Sequence, residues 1–379
     1  MRCVELFAGA GGAALGLEEA GVEHLALVEW DKDACATMRA AGLGPVIEGD
    51  VRDLHAIESV LGITEEQAWN RAGNMLLDDP REGDDWMMAR EALASQLLDP
   101  DLDLLWSSFP CQGWSSAGAR LGARDPRNGW PWTVAAIDRL QPRWFLGENV
   151  RGLTMHSGCA SELDCPGCYL RGVIVPQLEE RFAHAGYWVL DAADYGVPQH
   201  RRRVILWAGP APLQAPAPTH GPPGQGDLFR RLKPWVTMGE TLSLGPFIWD
   251  ASRNNDNNPR QERPTPSTEP APALGTKGNQ YILRPAPTVT AQEVKGTRAS
   301  EASGGTFNGG PDRASDALYL ATGRRRLTVE ECAALQSFPP DHPWRGTKRS
   351  KYQQVGNAVP PPLARVVAQR VLKADASLR

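Results

Sequence analysis

Cys3-Val4-Glu5-Leu6-Phe7-Ala8-Gly9-Ala10-Gly11-Gly12-Ala13-Ala14 is the stretch that decides the fold. Cys3–Phe7 is a short strand candidate, Gly9-x-Gly11-x-x-Ala14 follows at once, and an Ala/Leu-rich helix runs on to about Ala20. A glycine turn between strand and helix lets the backbone come close to a nucleotide cofactor and offers it the free N–H groups of the helix start. The alternation continues outward. His24–Glu29 reads as a strand, Lys32–Ala41 as a helix, and Pro45–Glu48 as a strand ending at Gly49-Asp50. Leu102–Trp106, Trp144–Leu146, Tyr187–Leu190 and Val204–Ala208 supply further strands. Strands alternating with helices at this pitch predict an α/β fold with a parallel, doubly wound sheet.

The chain has 379 residues, 41% hydrophobic, enough for two domains. A net charge of -5 excludes a protein held to nucleic acid by bulk charge. The distribution is uneven: residues 1–105 carry 7 Lys and Arg against 22 Asp and Glu, the rest 33 against 23. The basic remainder suits a polyanion partner, and two differently solvated surfaces suit it equally. No apolar run approaches the roughly 20 residues of a membrane span. The N-terminus runs straight into the glycine turn rather than a cleavage site, so no signal peptide is expected. Seven cysteines, three of them within ten residues, do not form an extracellular disulfide pattern in a chain this large, and a reduced cytoplasmic setting is expected.

Residues 54–100 are acidic and helix-prone and read as a peripheral insertion. From Pro210 to Pro287 the composition changes, with 15 of the 32 prolines, mixed with Gly, Asn and Thr. Proline is excluded from helix interiors and central strands, so this is expected to be a smaller, loop-rich domain entered through a stiff linker. The boundaries expected are 1–209, 210–345 and a returning C-terminal segment, 346–379. That segment ends in a helix from about Pro361 to Lys373, and another helix is expected at Thr328–Gln336.

The glycine turn alone fits NAD, a flavin or S-adenosylmethionine (SAM), and a plain tight turn as well. Glu29, twenty residues after Gly9, is placed to accept hydrogen bonds from both ribose hydroxyls. Phe7 and Trp30 can flank an adenine, and Asp50 can take its amino group; core packing is the ordinary role of an isolated aromatic. Further on, Pro110-Cys111-Gln112-Gly113-Trp114-Ser115-Ser116 follows a strand. A cysteine at the carboxyl end of a parallel strand, in a Gly/Ser-rich loop, sits where open sheets place their ligands. Glu148-Asn149-Val150 ends another strand on the same edge, and Gln199-His200-Arg201-Arg202-Arg203 begins a further one. A thiol, a carboxyl and guanidinium groups thus converge beside a candidate cofactor turn, although a solvated charge run would also explain the arginines.

Phe7–Gly12, Glu29-Trp30-Asp31, Asp50, Pro110-Cys111-Gln112, Glu148-Asn149-Val150, the Gln-x-Arg-x-Arg of 199–203 and Gln354–Pro360 resemble, in order, the motifs of the DNA (cytosine-5) methyltransferases. The resemblance implies a Rossmann-like SAM-dependent methyltransferase domain with a target-recognition domain, acting on double-stranded DNA. It implies that Cys111 adds as a thiolate to C6 of a flipped cytosine, making C5 nucleophilic. Glu148 would hold or protonate N3, Arg203 would hold the O2 side of the base, and Arg201 would brace the loop and Glu148. Phe7, Gly9, Gly11, Glu29, Trp30, Asp50 and Pro110 would contact SAM, with Asn357 and Ala358 closing the pocket. The loop from Gly113 to about Asn128 would close over the base. Asparagines and arginines near 253–260 have hydrogen-bonding groups for base edges, and are ordinary turn material too.

His156-x2-Cys159-x5-Cys165-x2-Cys168 lies outside that family pattern and can hold a structural Zn²⁺. A loop carrying reduced surface cysteines is the alternative. An RNA cytosine-5 methyltransferase and a non-catalytic, SAM-responsive DNA-binding protein are the competing functions. A monomer is expected, one that partners a restriction endonuclease in the same system, protects a phage or plasmid, or acts alone.

Overall fold

The computed structural model describes residues 1–53, 102–110, 127–156, 165–222, 232–243 and 327–379, with isolated positions and short strands between them. The insertion expected at 54–100 lies almost wholly outside the described residues, as do the 111–122 segment with Cys111, Cys159, and the asparagines near 253–260.

The chain builds β1 (Arg2–Leu6), α1 (Gly12–Glu19), β2 (Glu23–Glu29), α2 (Lys32–Ala40), β3 (Val46–Glu48), β4 (Leu104–Ser107), α3 (Trp130–Leu140) and β5 (Trp144–Val150). Next come α4 (Pro166–Tyr169), a π-helical turn (Leu170–Ile174), α5 (Val175–Glu179), β6 (His184–Asp191) and β7 (Arg202–Gly209). The chain closes through α6 (Met238–Leu242), α7 (Val329–Ala334), α8 (Lys348–Asn357) and α9 (Pro361–Ala376). One seven-stranded sheet has the order β3-β2-β1-β4-β5-β7-β6.

Alternation along the strands separates two cores. Val4 and Leu6 of β1, Leu105 of β4, Phe145 of β5 and Leu206 of β7 face α3 and the 166–179 helical segment. Cys3, Leu104, Trp106, Trp144, Leu146 and Ile205 face α1 and α9. Both faces are covered, as a doubly wound sheet requires. Gly16 allows α9 onto α1: a Cβ there would meet the Pro361 carbonyl oxygen at 2.1 Å.

The expectation of a purely parallel sheet needs one amendment. β7 runs antiparallel to both β5 and β6. The connection between β6 and β7, Ala192–Arg201, is too short for the crossover that parallel neighbours need. The reversal matters for chemistry, because it brings the first residues of β7 to the carboxyl edge of β5, with Arg203 opposite Val150.

The proline-rich linker does not hang free. Leu213 is buried in the α1/α9 core, and the Pro216 carbonyl accepts a 2.8 Å hydrogen bond from the Tyr195 hydroxyl. Beyond it, four short antiparallel strands (Thr265–Pro266, Ile248–Asp250, Tyr281–Leu283, Arg324–Arg326) form a sheet where loops were expected. Pro266 is on the edge strand, where a missing N–H costs no ladder bond. A third core joins Leu327, Val329, Phe338, Trp344, Tyr352, Val355 and Ala358 to Ala10 of the glycine turn. A boundary at 345/346 passes through that core. Among the described residues no helix is long and apolar enough to cross a membrane.

Candidate active site

The glycine turn is held open by conformation and by one carboxylate. Phe7, Gly9 and Gly11 have φ of 57°, 58° and 81°. Left-handed backbone is routine for glycine and unusual for a bulky residue, so Phe7 marks strain kept at a site. A Cβ on Gly9 would meet nothing within 4 Å, which leaves open space beside the turn. The Glu29 carboxylate is buried and accepts from the backbone N–H groups of Gly9 (2.8 Å), Trp30 (2.9 Å) and Asp31 (2.8 Å). Burial pushes its pKa up, and the three N–H groups oppose the rise. Glu29 therefore fixes the turn itself, beyond the ribose role its position suggests. Next to it, the Trp30 ring is 76% exposed and available to stack.

Asp50 is engaged by Arg52, whose backbone N–H and Nε donate to it at 3.0 and 2.8 Å, and this holds its pKa down. The Arg52 guanidinium also lies 5.8 Å from the centre of the Trp132 ring. Phe7, Phe109 and Pro110 crowd Gly129 at the start of α3, where a Cβ would lie 2.5 Å from Pro110 Cδ. Pro110 thus reaches the Phe7 side of the turn. On the far side, Ala358 is buried against Gly12, and Asn357 is exposed at the end of α8. These features fit SAM: an open glycine turn, an acidic anchor, an accessible aromatic and a carboxylate after β3.

The second half of the site lies on β5 and β7. Glu148 is buried, and Arg203 Nε lies 2.6 Å from its Oε1. Burial raises the Glu148 pKa, with the Arg203 and Arg201 guanidinium groups pulling it down. Arg201, 1% exposed, donates from one Nη to the carbonyl oxygens of Gly356 and Ala358, both at 2.8 Å. Arg201 and Arg203 thus point to different tasks: one clamps the Gln354–Pro360 segment, the other meets the acid. Exposed Arg202 pairs with Asp191 at 3.3 Å.

Three positioning contacts escaped the sequence reading. Asn149 Nδ2 donates to the Phe109 carbonyl (3.1 Å), tying the Glu148 strand to the segment leading into Cys111. Asp191 accepts from the Arg201 backbone N–H (2.9 Å) and from His200 Nδ1 (3.1 Å). Burial pushes the Asp191 carboxyl up, but His200 and these N–H groups win and hold it low. His342 hydrogen-bonds the Ala10 backbone, and burial pushes its pKa down to about 4, so the ring is neutral at pH 7. Only the Asn149 contact had a sequence signal, its place inside Glu-Asn-Val.

A profile described as C-5 cytosine-specific DNA methylase matches residues 1–61 and 83–373, nearly the whole chain. The chain belongs to the C-5 cytosine-specific DNA methylases. It is a SAM-dependent DNA (cytosine-5-)-methyltransferase by that membership. The type II methyltransferase M.NgoMIV of Neisseria gonorrhoeae is 30% identical over 374 residues, covering 98% of this chain and 97% of that one. M.NaeI of Lentzea aerocolonigenes is 29% identical over 380 residues, covering 98% and 74%. Among solved structures, a DNMT2 mutant of Spodoptera frugiperda aligns with a TM-score of 0.55 at 15% identity over 98% of this chain and 99% of that one. The Dnmt2 methyltransferase of S. pombe gives 0.56 at 14% identity over 99% of both. The methylase fold is common to all of them.

Proposed function

We propose that this methyltransferase acts on a flipped cytosine through Cys111, Glu148 and Arg203, as the modifying enzyme of a type II restriction-modification system. The observation that carries the residue assignment is the Glu148–Arg203 pair at the carboxyl edge of the sheet, one residue from the Asn149 tether to the Cys111 segment. Cys111 itself is assigned by its Pro-Cys-Gln match.

The cysteine thiolate adds to C6, and negative charge moves into the ring toward N3. Glu148, with its pKa raised by burial, holds a proton more readily than an exposed carboxyl and donates to N3 as that charge develops. Arg203 faces the same base from β7 and keeps its O2 side in place. Arg201 braces the C-terminal motif from below. SAM supplies the methyl group to C5. Loss of the C5 proton to water, return of the N3 proton to Glu148 and departure of the Cys111 thiolate from C6 then restore the aromatic ring.

Phe7, Gly9 and Gly11 would cradle SAM with their backbone, Glu29 would take the ribose, Trp30 and Asp50 the adenine, and Pro110, Asn357 and Ala358 would border it. For Asp50 this requires sharing the carboxylate with Arg52 or exchanging it. Target recognition is assigned to residues within 210–345, with 54–100 as an added peripheral segment and 346–379 as part of the catalytic unit. The Gly16 contact between α1 and α9 supports the last assignment. The working unit in this reading is a monomer in the cytoplasm; a cognate endonuclease in the same system is supported by the type II names of the relatives. Structural Zn²⁺ is a second proposed cofactor and takes no step in this chemistry.

The deciding experiment is mass spectrometry of nucleosides from duplex DNA incubated with the protein and methyl-labelled SAM. Label in 5-methylcytosine is expected. Label appearing only in RNA, or nowhere with varied sequence and ample enzyme, would overturn the reading.

A further inference from the structure

Away from Glu148 and Glu29, the described residues gather one set of soft metal ligands. His156 Nδ1 lies 3.3 Å from Cys165 Sγ and 3.4 Å from Cys168 Sγ, and the three ligand atoms all lie within 4.8 Å of one another. A tetrahedral Zn²⁺ has Zn–S near 2.3 Å and Zn–N near 2.0 Å, which places its nitrogen and sulfur ligands about 3.5 Å apart. The observed separations match that spacing, and they also lie within reach of thiol–imidazole hydrogen bonds.

The backbone is shaped to keep the set together. Cys165 opens α4, whose first residue is Pro166, and the Tyr169 N–H donates to the Cys165 carbonyl at 2.8 Å, so one helical turn brings both cysteines to the same side. The Gly167 N–H donates to the Met155 carbonyl at 2.9 Å, which draws the chain before His156 onto that turn. A side chain would crowd this approach. A Cβ at 167 would lie 3.0 Å from the Thr154 carbonyl oxygen and 3.1 Å from that of Met155. Cys165 is buried, Cys168 half-buried and His156 exposed, so the three ligands close from the core outward.

We propose that His156, Cys165 and Cys168 bind one structural Zn²⁺ that fastens the chain leaving the Glu148 strand to the base of the Cys111 segment. The sequence offers Cys159 as the fourth ligand; it lies outside the described residues. A fourth protein ligand would close the last open position on the ion, as in structural rather than catalytic zinc sites. The fastening runs through Tyr169, next in sequence after Cys168. Its hydroxyl accepts from Asn128 Nδ2 at 3.1 Å, and the same Nδ2 donates to the Ala123 carbonyl at 3.2 Å, where the segment from Cys111 returns to α3.

The test is metal content of the full-length, tag-free protein after exhaustive dialysis, by inductively coupled plasma mass spectrometry. One zinc per chain is expected, and Cys165→Ser and Cys168→Ser should each lose it. Cobalt loaded in its place should show the intense visible bands of a tetrahedral site and a near-ultraviolet sulfur-to-cobalt band, both absent in Cys168→Ser. Half-buried Cys168 carries the test if the buried Cys165 variant fails to fold, and SAM binding at the separate Glu29 site reports folding. No retained zinc, or full zinc in folded Cys168→Ser, overturns the proposal. Metal content is read whether or not the protein methylates DNA, so this result and the nucleoside assay fail independently.

Discussion

Glu29 and Glu148 are both buried carboxylates at the carboxyl edge of one sheet, and both have pKa values raised by burial. Their partners differ. Glu29 is bound by three backbone N–H groups from its own neighbourhood and from the glycine turn. These are neutral donors fixed by the fold, and they make the carboxylate part of the scaffold. Glu148 faces a cation, Arg203, from the next strand. A charged partner makes the proton on Glu148 depend on one side chain, which suits a group that must give a proton and take it back. Burial alone does not separate an anchor from an acid; the kind of partner does.

Five substitutions press on that contrast. The largest effect is expected outside it, at the nucleophile: Cys111→Ser should lower methyl transfer by about 10⁴-fold or more while SAM affinity holds. Full turnover in single-turnover assays of this variant would remove the covalent route. Glu148→Gln should cost roughly 10²–10⁴-fold in kcat, the usual worth of a positioned acid, with little change in SAM binding by calorimetry.

The pH dependence follows from the same pair. In our reading the acid must be protonated, so kcat falls as pH rises through the Glu148 pKa. Arg203 pulls that pKa down against burial, so Arg203→Gln should raise it further and move the falling limb of the residual activity to higher pH. A limb that stays in place, or moves to lower pH, would detach Glu148 from Arg203 and weaken the contrast.

At the scaffold, Glu29→Ala should weaken SAM binding by about 10–100-fold, the equivalent of losing hydrogen bonds to a charged acceptor. With saturating SAM, transfer should largely return. A variant that binds SAM normally but has lost kcat would make Glu29 a chemical group after all. The smallest functional effect is expected from Arg201→Met, which leaves the Gly356 and Ala358 carbonyls without their donor. Its cost should appear as a loss of about 2 kcal/mol or more in stability by denaturant melts. The alkaline limb should shift upward only slightly, because Arg201 is the lesser of the two cations opposing the rise at Glu148.

Much of this molecule was legible in one dimension. Local signals decide the first three strands and two helices: β2 was expected at His24–Glu29 and stands at Glu23–Glu29, and α2 at Lys32–Ala41 stands at Lys32–Ala40. The glycine turn and the acidic residue after β2 could be found because their spacing is set by one strand–turn–helix unit. The small antiparallel sheet within 248–326 was missed, since proline-rich stretches hide two- and three-residue strands whose partners lie far apart in sequence. Asp191 and His342 left no trace either: each acts on a motif residue across a gap in the chain, His342 on Ala10 and Asp191 on Arg201.

The sequence by itself determined the doubly wound sheet and supplied the glycine turn, thiol, carboxyl and guanidinium groups proposed for the site, because periodicity, turn chemistry and side-chain type are local properties. The resemblance already divides the two arginines, but only tertiary structure decided what each side chain meets. Arg201, the residue before β7, and Arg203, within it, are two positions apart and equal in charge, yet one is aimed at the backbone of Gly356 and Ala358 and the other at Glu148. The antiparallel insertion of β7 beside β5 fixes this division, because pairing between distant strands, and no property of either arginine, sets what each side chain meets.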